Sequence, residues 1–195
     1  MSAPLIRPAR PSDLPGAAEV LADAFTDDPT FAFLPSDERA RRVRAYMDHE
    51  INGAWTVDVA VDGTTVLGAG LWQPPGAPID GIAAAAGHVA ELWSALGRHA
   101  ATMLRVEREL ARHRPPVPHW FLGYAGVSSA AQGRGVGRAL LEHRLGTVAE
   151  PVYLEAATER AAALYRRLGF VDMCRFTGPH MPAVGMWRPA PLPQD

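Results

Sequence analysis

The sequence predicts one α/β domain built on a mixed sheet, and three observations carry that expectation. Short strand-like runs alternate with longer stretches of helical period along all 195 residues. A hairpin signal, Asp62-Gly63, joins two of the strand-like runs. A glycine-rich turn, Gln132 to Gly137, stands between a strand-like run and a helical one. Composition agrees: 48% hydrophobic and 21% charged residues suit a packed core, and the length suits a single domain over 1–195.

Leu5-Ile6-Arg7 reads as a short strand. Ser12 is placed to cap a helix whose apolar positions Leu14, Ala17, Ala18, Leu21, Ala24 and Phe25 recur every three or four residues, and Thr26-Asp27-Asp28-Pro29 ends it. A second helix, about Ser36 to Ile51, carries Val43, Met47 and Ile51 on one side. Ala54 to Ala60 and Thr65 to Trp72 form an antiparallel pair around Asp62-Gly63, and Pro74, Pro75 and Pro78 stop the sheet.

From Ile82 to Leu110 the residues Ala86, Val89, Trp93, Leu96, Met103 and Leu110 keep a helical period, interrupted by Gly97. One bent helix or two consecutive helices satisfy that pattern. This helical insertion, about 79–114, lies between predicted strands and is expected to lean over the sheet as a wall or lid. His119 to Val127 is the next strand. The helix after the glycine-rich turn buries Val136, Leu140, Leu141, Leu145 and Val148 before Pro151. Val152 to Ala156 is a buried-looking strand, and Arg160 to Leu168 a short helix closed by Gly169. Phe170 to Thr177 and Val184 to Arg188 supply two last antiparallel strands.

Nineteen Lys+Arg against twenty-one Asp+Glu give a formal charge of -2, without the positive field of a non-specific nucleic-acid binder. Arg39, Arg41, Arg42 and Arg44 read as a solvated helix face. With Cys174 the only cysteine and no HExxH pair among the histidines, neither a disulfide nor a metal is expected. Arg7 and Arg10 precede any apolar run, and Ile82 to Ala90 is too short to span a bilayer. The expected setting is cytoplasmic, without membrane contact; a homodimer is left open.

The run Gln132-Gly133-Arg134-Gly135-Val136-Gly137-Arg138 carries the chemistry. Glycines let the chain approach a diphosphate closely, and the first turn of the following helix offers unpaired N–H groups to anionic oxygens. A Walker loop would end in Gly-Lys-Ser/Thr, and a dinucleotide loop would space its glycines GxGxxG; neither describes glycines at 133, 135 and 137 followed by Arg138.

The whole run from Gly126 to Gly137 resembles the Q/R-x-x-G-x-G/A signature of the GNAT acetyltransferases with the strand ahead of it. Val152-Tyr153-Leu154-Glu155 and the stretch Leu164 to Phe170 match the family's next strand and its Tyr-x-x-x-Gly-Phe element. The match is specific over His119 to Phe170 and looser elsewhere. The insertion, the Phe25 to Pro29 stretch and Met186-Trp187-Arg188 resemble the branch containing puromycin N-acetyltransferase.

The resemblance implies the GNAT fold: a mixed, mostly antiparallel sheet flanked by helices, with two parallel strands splayed near Val127 and Ala156. It implies acetyl-CoA as the acyl donor, held by Val127, Ser128, Gln132, Gly133, Arg134, Gly135, Val136, Gly137 and Arg138. It also implies direct attack by the primary amine of a small molecule, with an N–H near Val127 at the developing oxyanion. Tyr165 occupies the general-acid position, with aromatic packing as its plainer role, and Glu155 either accepts the amine's proton or anchors a helix. His119 is a weaker candidate. Asp27 and Asp28 either attract a cationic acceptor or cap a turn, and Phe31, Phe33, Trp72 and Trp93 either line an acceptor cavity or fill the core. Where the branch carries Ser/Thr-x-x-x-Asn, this chain has Ala157-Thr158-Glu159-Arg160-Ala161, and the loss of that Asn at Ala161 implies cofactor positioning or acceptor choice different from its relatives. The competing expectations are an acyl-CoA-binding regulatory protein without turnover and a protein or peptide N-acetyltransferase.

Overall fold

The computed structural model describes residues 4–53, 55–76 and 86–191. In chain order they form β1 (Leu5–Pro8), α1 (Leu14–Phe25), α2 (Ser36–Glu50), β2 (Thr56–Asp62), β3 (Thr65–Gln73), α3 (Ala86–Leu96), α4 (Ala100–Ala111), β4 (Trp120–Val127), α5 (Val136–Leu145), β5 (Val152–Ala156), α6 (Glu159–Arg167), β6 (Val171–Arg175) and β7 (Val184–Arg188). Residues 79–85 of the expected insertion, together with Ala54 and Pro78, lie outside the described residues.

The strands make one seven-stranded sheet in the order β1-β2-β3-β4-β5-β7-β6. Every neighbouring pair is antiparallel except β4 with β5, which is parallel. Alternation along the strands sends side chains to opposite faces, so Val59 and Val61 join the core under α1 to α4 while Ala60 packs with Val136 and Leu140 of α5. Helices therefore cover both faces, and a third cluster around Trp72, Leu122, Leu154 and Met186 closes the β5–β7 side under α5 and α6.

Three local outcomes differ from, or refine, the sequence reading. Ser12 does not cap α1: a 3-10 turn, Pro11–Asp13, precedes the helix, and Asp13 takes the polar role. Its carboxylate accepts from the Arg10 N–H at 2.6 Å and from Arg7 at 2.6 and 3.1 Å, which lowers its pKa to about 2. The insertion is two helices, broken at a 3-10 turn where Gly97 has φ +57°. Its residues Leu92, Ala95, Leu96, Ala100 and Met103 belong to the same core as Val43, Tyr46 and Met47 of α2, so it is a wall of the domain and not an appended flap. Finally β7 inserts between β5 and β6, an order set by pairing between distant segments.

A bidentate ion pair ties α5 to the sheet: Arg144 Nε and Nη2 donate to Asp58 Oδ2 and Oδ1 at 2.7 and 2.6 Å, with Asp58 fully buried on β2. None of the helices among the described residues is long and apolar enough to cross a membrane.

Candidate active site

The sheet opens where β4 and β5 part. Their parallel ladder covers only Trp120–Leu122 against Val152–Leu154, yet β4 continues to Val127 and β5 to Ala156. A bulge in the β3–β4 register leaves Gly123 as the extra residue. A Cβ on Gly123 would stand 2.5 Å from the Trp55 indole, so a side chain at this bend would have to displace that ring. Past the bulge the Ser128 N–H donates to Leu67 O at 2.9 Å, which fixes the phase of the antiparallel ladder. Residues 124, 126 and 128 then direct their backbone groups to β3, and Ala125 and Val127 direct theirs into the gap.

A short 3-10 turn, Ser129–Ala131, links β4 to the glycine-rich loop, and Asp23 accepts the Ser129 N–H at 3.0 Å. Gly133 and Gly135 sit at φ +74° and +78°, and a Cβ at either would meet nothing within 4 Å. Backbone conformation, and not crowding, is what demands glycine there. Gly135 is the N-cap of α5, its carbonyl accepting from Ala139 N–H at 3.0 Å. The N–H groups of the first turn have no partner within the helix and stand at the end of the gap.

Together these elements form a cleft of about 750 Å³. Its lining includes Val127, Gln132, Gly133, Gly135, Val136, Gly137 and Arg138 from β4, the loop and α5, and Leu154, Glu155 and Tyr165 from β5 and α6. Ser128 and Arg134 are not among its walls: the Ser128 N–H is taken up by Leu67, and Arg134 is exposed on the loop. The Gln132 amide reaches back to Val127 O at 3.4 Å.

Tyr165 is half-buried on α6 and meets Phe170 edge-on at 5.7 Å between ring centroids. Burial, followed by the nearby charge of Asp28, raises its phenol to about 12. Burial also raises the Glu155 carboxyl, against the opposing pull of Arg114, whose Nε lies 3.5 Å from Oε1. The same Arg114 guanidinium stands 3.6 Å over the centre of the Phe121 ring.

A second, smaller cavity of about 120 Å³ opens on the cleft, and Phe25, Asp28, Gly123, Glu155 and Ala157 border both spaces. Asp27 borders the cleft alone. Asp28 caps the turn Pro29–Phe31 by accepting the Thr30 N–H at 2.8 Å, and burial raises its carboxyl. Of the aromatic residues expected around an acceptor, Phe31 does line the cavity. Trp72 is fully buried in the core, Trp93 is 51% exposed, and Phe33 packs against His99 and His180. His119 also lies elsewhere, its Nδ1 2.6 Å from Val117 O and its ring between Tyr153 and Trp187.

Sequence reasoning missed Tyr46, Glu50, Trp55, Glu107 and Tyr124, all of which line the small cavity. One signal was available: Glu50 falls on the helical stripe of Val43 and Met47, where an acid on an apolar face calls for an explanation. Among the described residues His49, Glu50 and His88 bring ligand-type atoms within 4.8 Å of one another. Both rings already face acids, His49 Nε2 at 3.1 Å from Glu91 and His88 Nε2 at 3.0 Å from Glu107.

A family profile described as an acetyltransferase (GNAT) domain matches residues 90–172. A solved structure from Corynebacterium glutamicum, described as histone acetyltransferase HPA2 and related acetyltransferase, is 33% identical, each chain covering 100% of the other, with a TM-score of 0.76. The chain belongs to the GNAT superfamily. This GNAT chain is an N-acetyltransferase, and GNAT domains take their acetyl group from acetyl-CoA. Two more distant structures share the fold: an agmatine N-acetyltransferase, 17% identical over 95% of this chain and 97% of that one (TM-score 0.60), and a mosquito arylalkylamine N-acetyltransferase like 5b, 15% identical over 94% and 97% (TM-score 0.58).

Proposed function

We propose that this GNAT enzyme transfers the acetyl group of acetyl-CoA to the primary amine of a small molecule by direct attack. The observation that carries the reading is the small cavity itself: apolar walls, acids facing inward, and a mouth shared with the cleft at Glu155 and Asp28. A cavity of about 120 Å³ suits a small amine better than a folded chain.

In this reading the unpaired N–H groups of the first turn of α5 hold the diphosphate, and the left-handed Gly133 and Gly135 shape the loop for it. Val127, with its backbone turned into the gap, supplies hydrogen bonds to the pantetheine arm or to the carbonyl oxygen as negative charge develops there. Glu155 accepts a proton from the acceptor ammonium, the freed amine nitrogen bonds to the thioester carbonyl carbon, and the carbon–sulfur bond breaks. Tyr165 hydrogen-bonds to the departing thiolate, and the proton that the attacking nitrogen sheds as the amide forms passes to the sulfur, so the phenol ends the step protonated. The products are the N-acetylated amine and the free thiol.

The test is release of free thiol from acetyl-CoA across a panel of small amines and of peptides with free N-termini or lysines. Turnover of small amines is expected. Activity confined to peptides or proteins would assign a macromolecular acceptor, and saturable acetyl-CoA binding without turnover of any amine would leave a sensing role.

A further inference from the structure

The inner end of the small cavity, away from the cleft, is polar in a way that acetyl transfer does not require. Tyr46, Glu50, Glu107 and Tyr124 line this cavity but not the cleft, and they come from three separate elements, α2, α4 and β4. Tyr46 Oη lies 2.6 Å from Tyr124 Oη and 3.3 Å from Glu107 Oε1, and Glu107 Oε2 lies 3.0 Å from His88 Nε2 on α3. Around them the walls are apolar: Phe31, Met103, Val106 and Phe121.

The charges do not balance. Asp28, Glu50, Glu107 and Glu155 line the cavity, against Arg114 as its only lining cation among the described residues. Arg114 is already paired with Glu155 at the mouth, His88 with Glu107, and His49 with Glu91. Glu50, only 5% exposed, forms no ion pair within 4.0 Å among the described residues. Glu50 and Glu107 thus share one imidazole, His88, whose ring nitrogen also lies within 4.8 Å of the Glu50 carboxylate, and buried acids short of positive charge are unfavourable.

We propose that this inner end binds a second cationic nitrogen, so that the acceptor is a small diamine-type molecule. Its distal ammonium or guanidinium meets Glu50 and Glu107, its short apolar spacer lies against Phe31, Met103 and Phe121, and its reacting amine stands at the mouth beside Glu155. The assignment rests on the reading of this chain as a small-amine acetyltransferase. The state of Glu50 agrees with it: burial first, and the charge of Glu107 second, raise its carboxyl to about 7 against the opposing charge of His88. A bound cation favours the ionised form, so diamine binding releases protons near neutrality and tightens as pH rises through that range.

The experiment uses the full chain saturated with coenzyme A and measures calorimetric binding of butylamine against diaminobutane and of pentylamine against diaminopentane. The same pairs are then compared in kcat/KM with acetyl-CoA. The diamine of each pair should win by about 10–100-fold, with affinity growing as pH increases. In Glu50→Gln that advantage should collapse toward parity at an unchanged melting temperature; Glu107→Gln gives the same reading should the first variant not fold. Equal affinity for monoamine and diamine, or an advantage that survives both substitutions, overturns the assignment. A lack of turnover with every amine would sink the acetyl-transfer reading, and the binding comparison would still decide this site.

Discussion

Tyr165 and Glu155 reach the same cleft from different elements, and burial raises both proton affinities with opposite chemical consequences. A carboxyl raised toward neutrality is a stronger base, which suits taking a proton from an ammonium. A phenol at about 12 releases its proton less readily than a free phenol near ~10, so in the proposed mechanism Tyr165 serves chiefly as a hydrogen-bond donor to the developing thiolate. Tyr165→Phe should therefore lower kcat toward the smaller end of the about 10²–10⁴-fold range for acid–base groups, with acetyl-CoA affinity and melting temperature unchanged. In the wild type the alkaline loss of activity should begin near the raised phenol value, well above ~10. A near-wild-type kcat with chemistry rate-limiting would return Tyr165 to its packing role against Phe170. For Glu155 the sign runs the other way. In the proposed mechanism its ionised form is the base, so kcat/KM should rise with pH through its raised pKa, which Arg114 holds down. Arg114→Ala should move the acidic limb of the pH–rate profile to higher pH, and an unmoved limb would remove Glu155 from the base role. The positions of Tyr165 and Glu155 beside the cleft were legible because each sits in a local motif; Glu50, Glu107 and Tyr124 were not, because only packing between distant segments brings them together.

At the level of elements, the glycine-rich loop joins conformation to function most directly. Gly135→Val places a β-branched residue at φ +78°, where left-handed geometry costs an L-residue roughly 1–2 kcal/mol. The open space around that position means the cost comes from the backbone, and relief requires the first turn of α5 to change shape. Acetyl-CoA affinity should fall by about tenfold or more, in line with that energy. The rest of α5 should stay in place through Leu140, Leu141 and the Arg144–Asp58 pair. Unchanged affinity by calorimetry would move the phosphate site elsewhere. The types and order of the elements were readable because helical and strand periods differ along this chain, and the break at Gly97 was readable for the same reason. Ser12 misled because the cap rule is local, whereas Asp13 is held by Arg7 from β1. The bulge at Gly123 left no local mark, since it exists only relative to the register of β3.

On the scale of the whole molecule, the small cavity and the cleft are bordered by largely different helices. α1, α2 and α4 border the small cavity or its mouth, and α5 and α6 border the cleft. The insertion cannot be treated as a removable lid, because its inner face is continuous with the principal core. Leu96→Ala, at a position with 0% exposure, should lower the stability of the entire chain by about 2–5 kcal/mol in a single denaturant transition. A separate early transition for residues 86–111 would show that this wall is only loosely attached. The short β4–β5 ladder has a wider meaning in this setting. β4 is fastened to β3, and β5 to β7, over most of their lengths, while only Trp120–Leu122 and Val152–Leu154 join the two halves of the sheet directly. Those three rungs set the angle between the two half-sheets, with Leu122 and Leu154, both buried, packed at the join. Repacking them would tilt one half-sheet against the other, changing the aim of Val127 on one arm and of Glu155 on the other in a single movement.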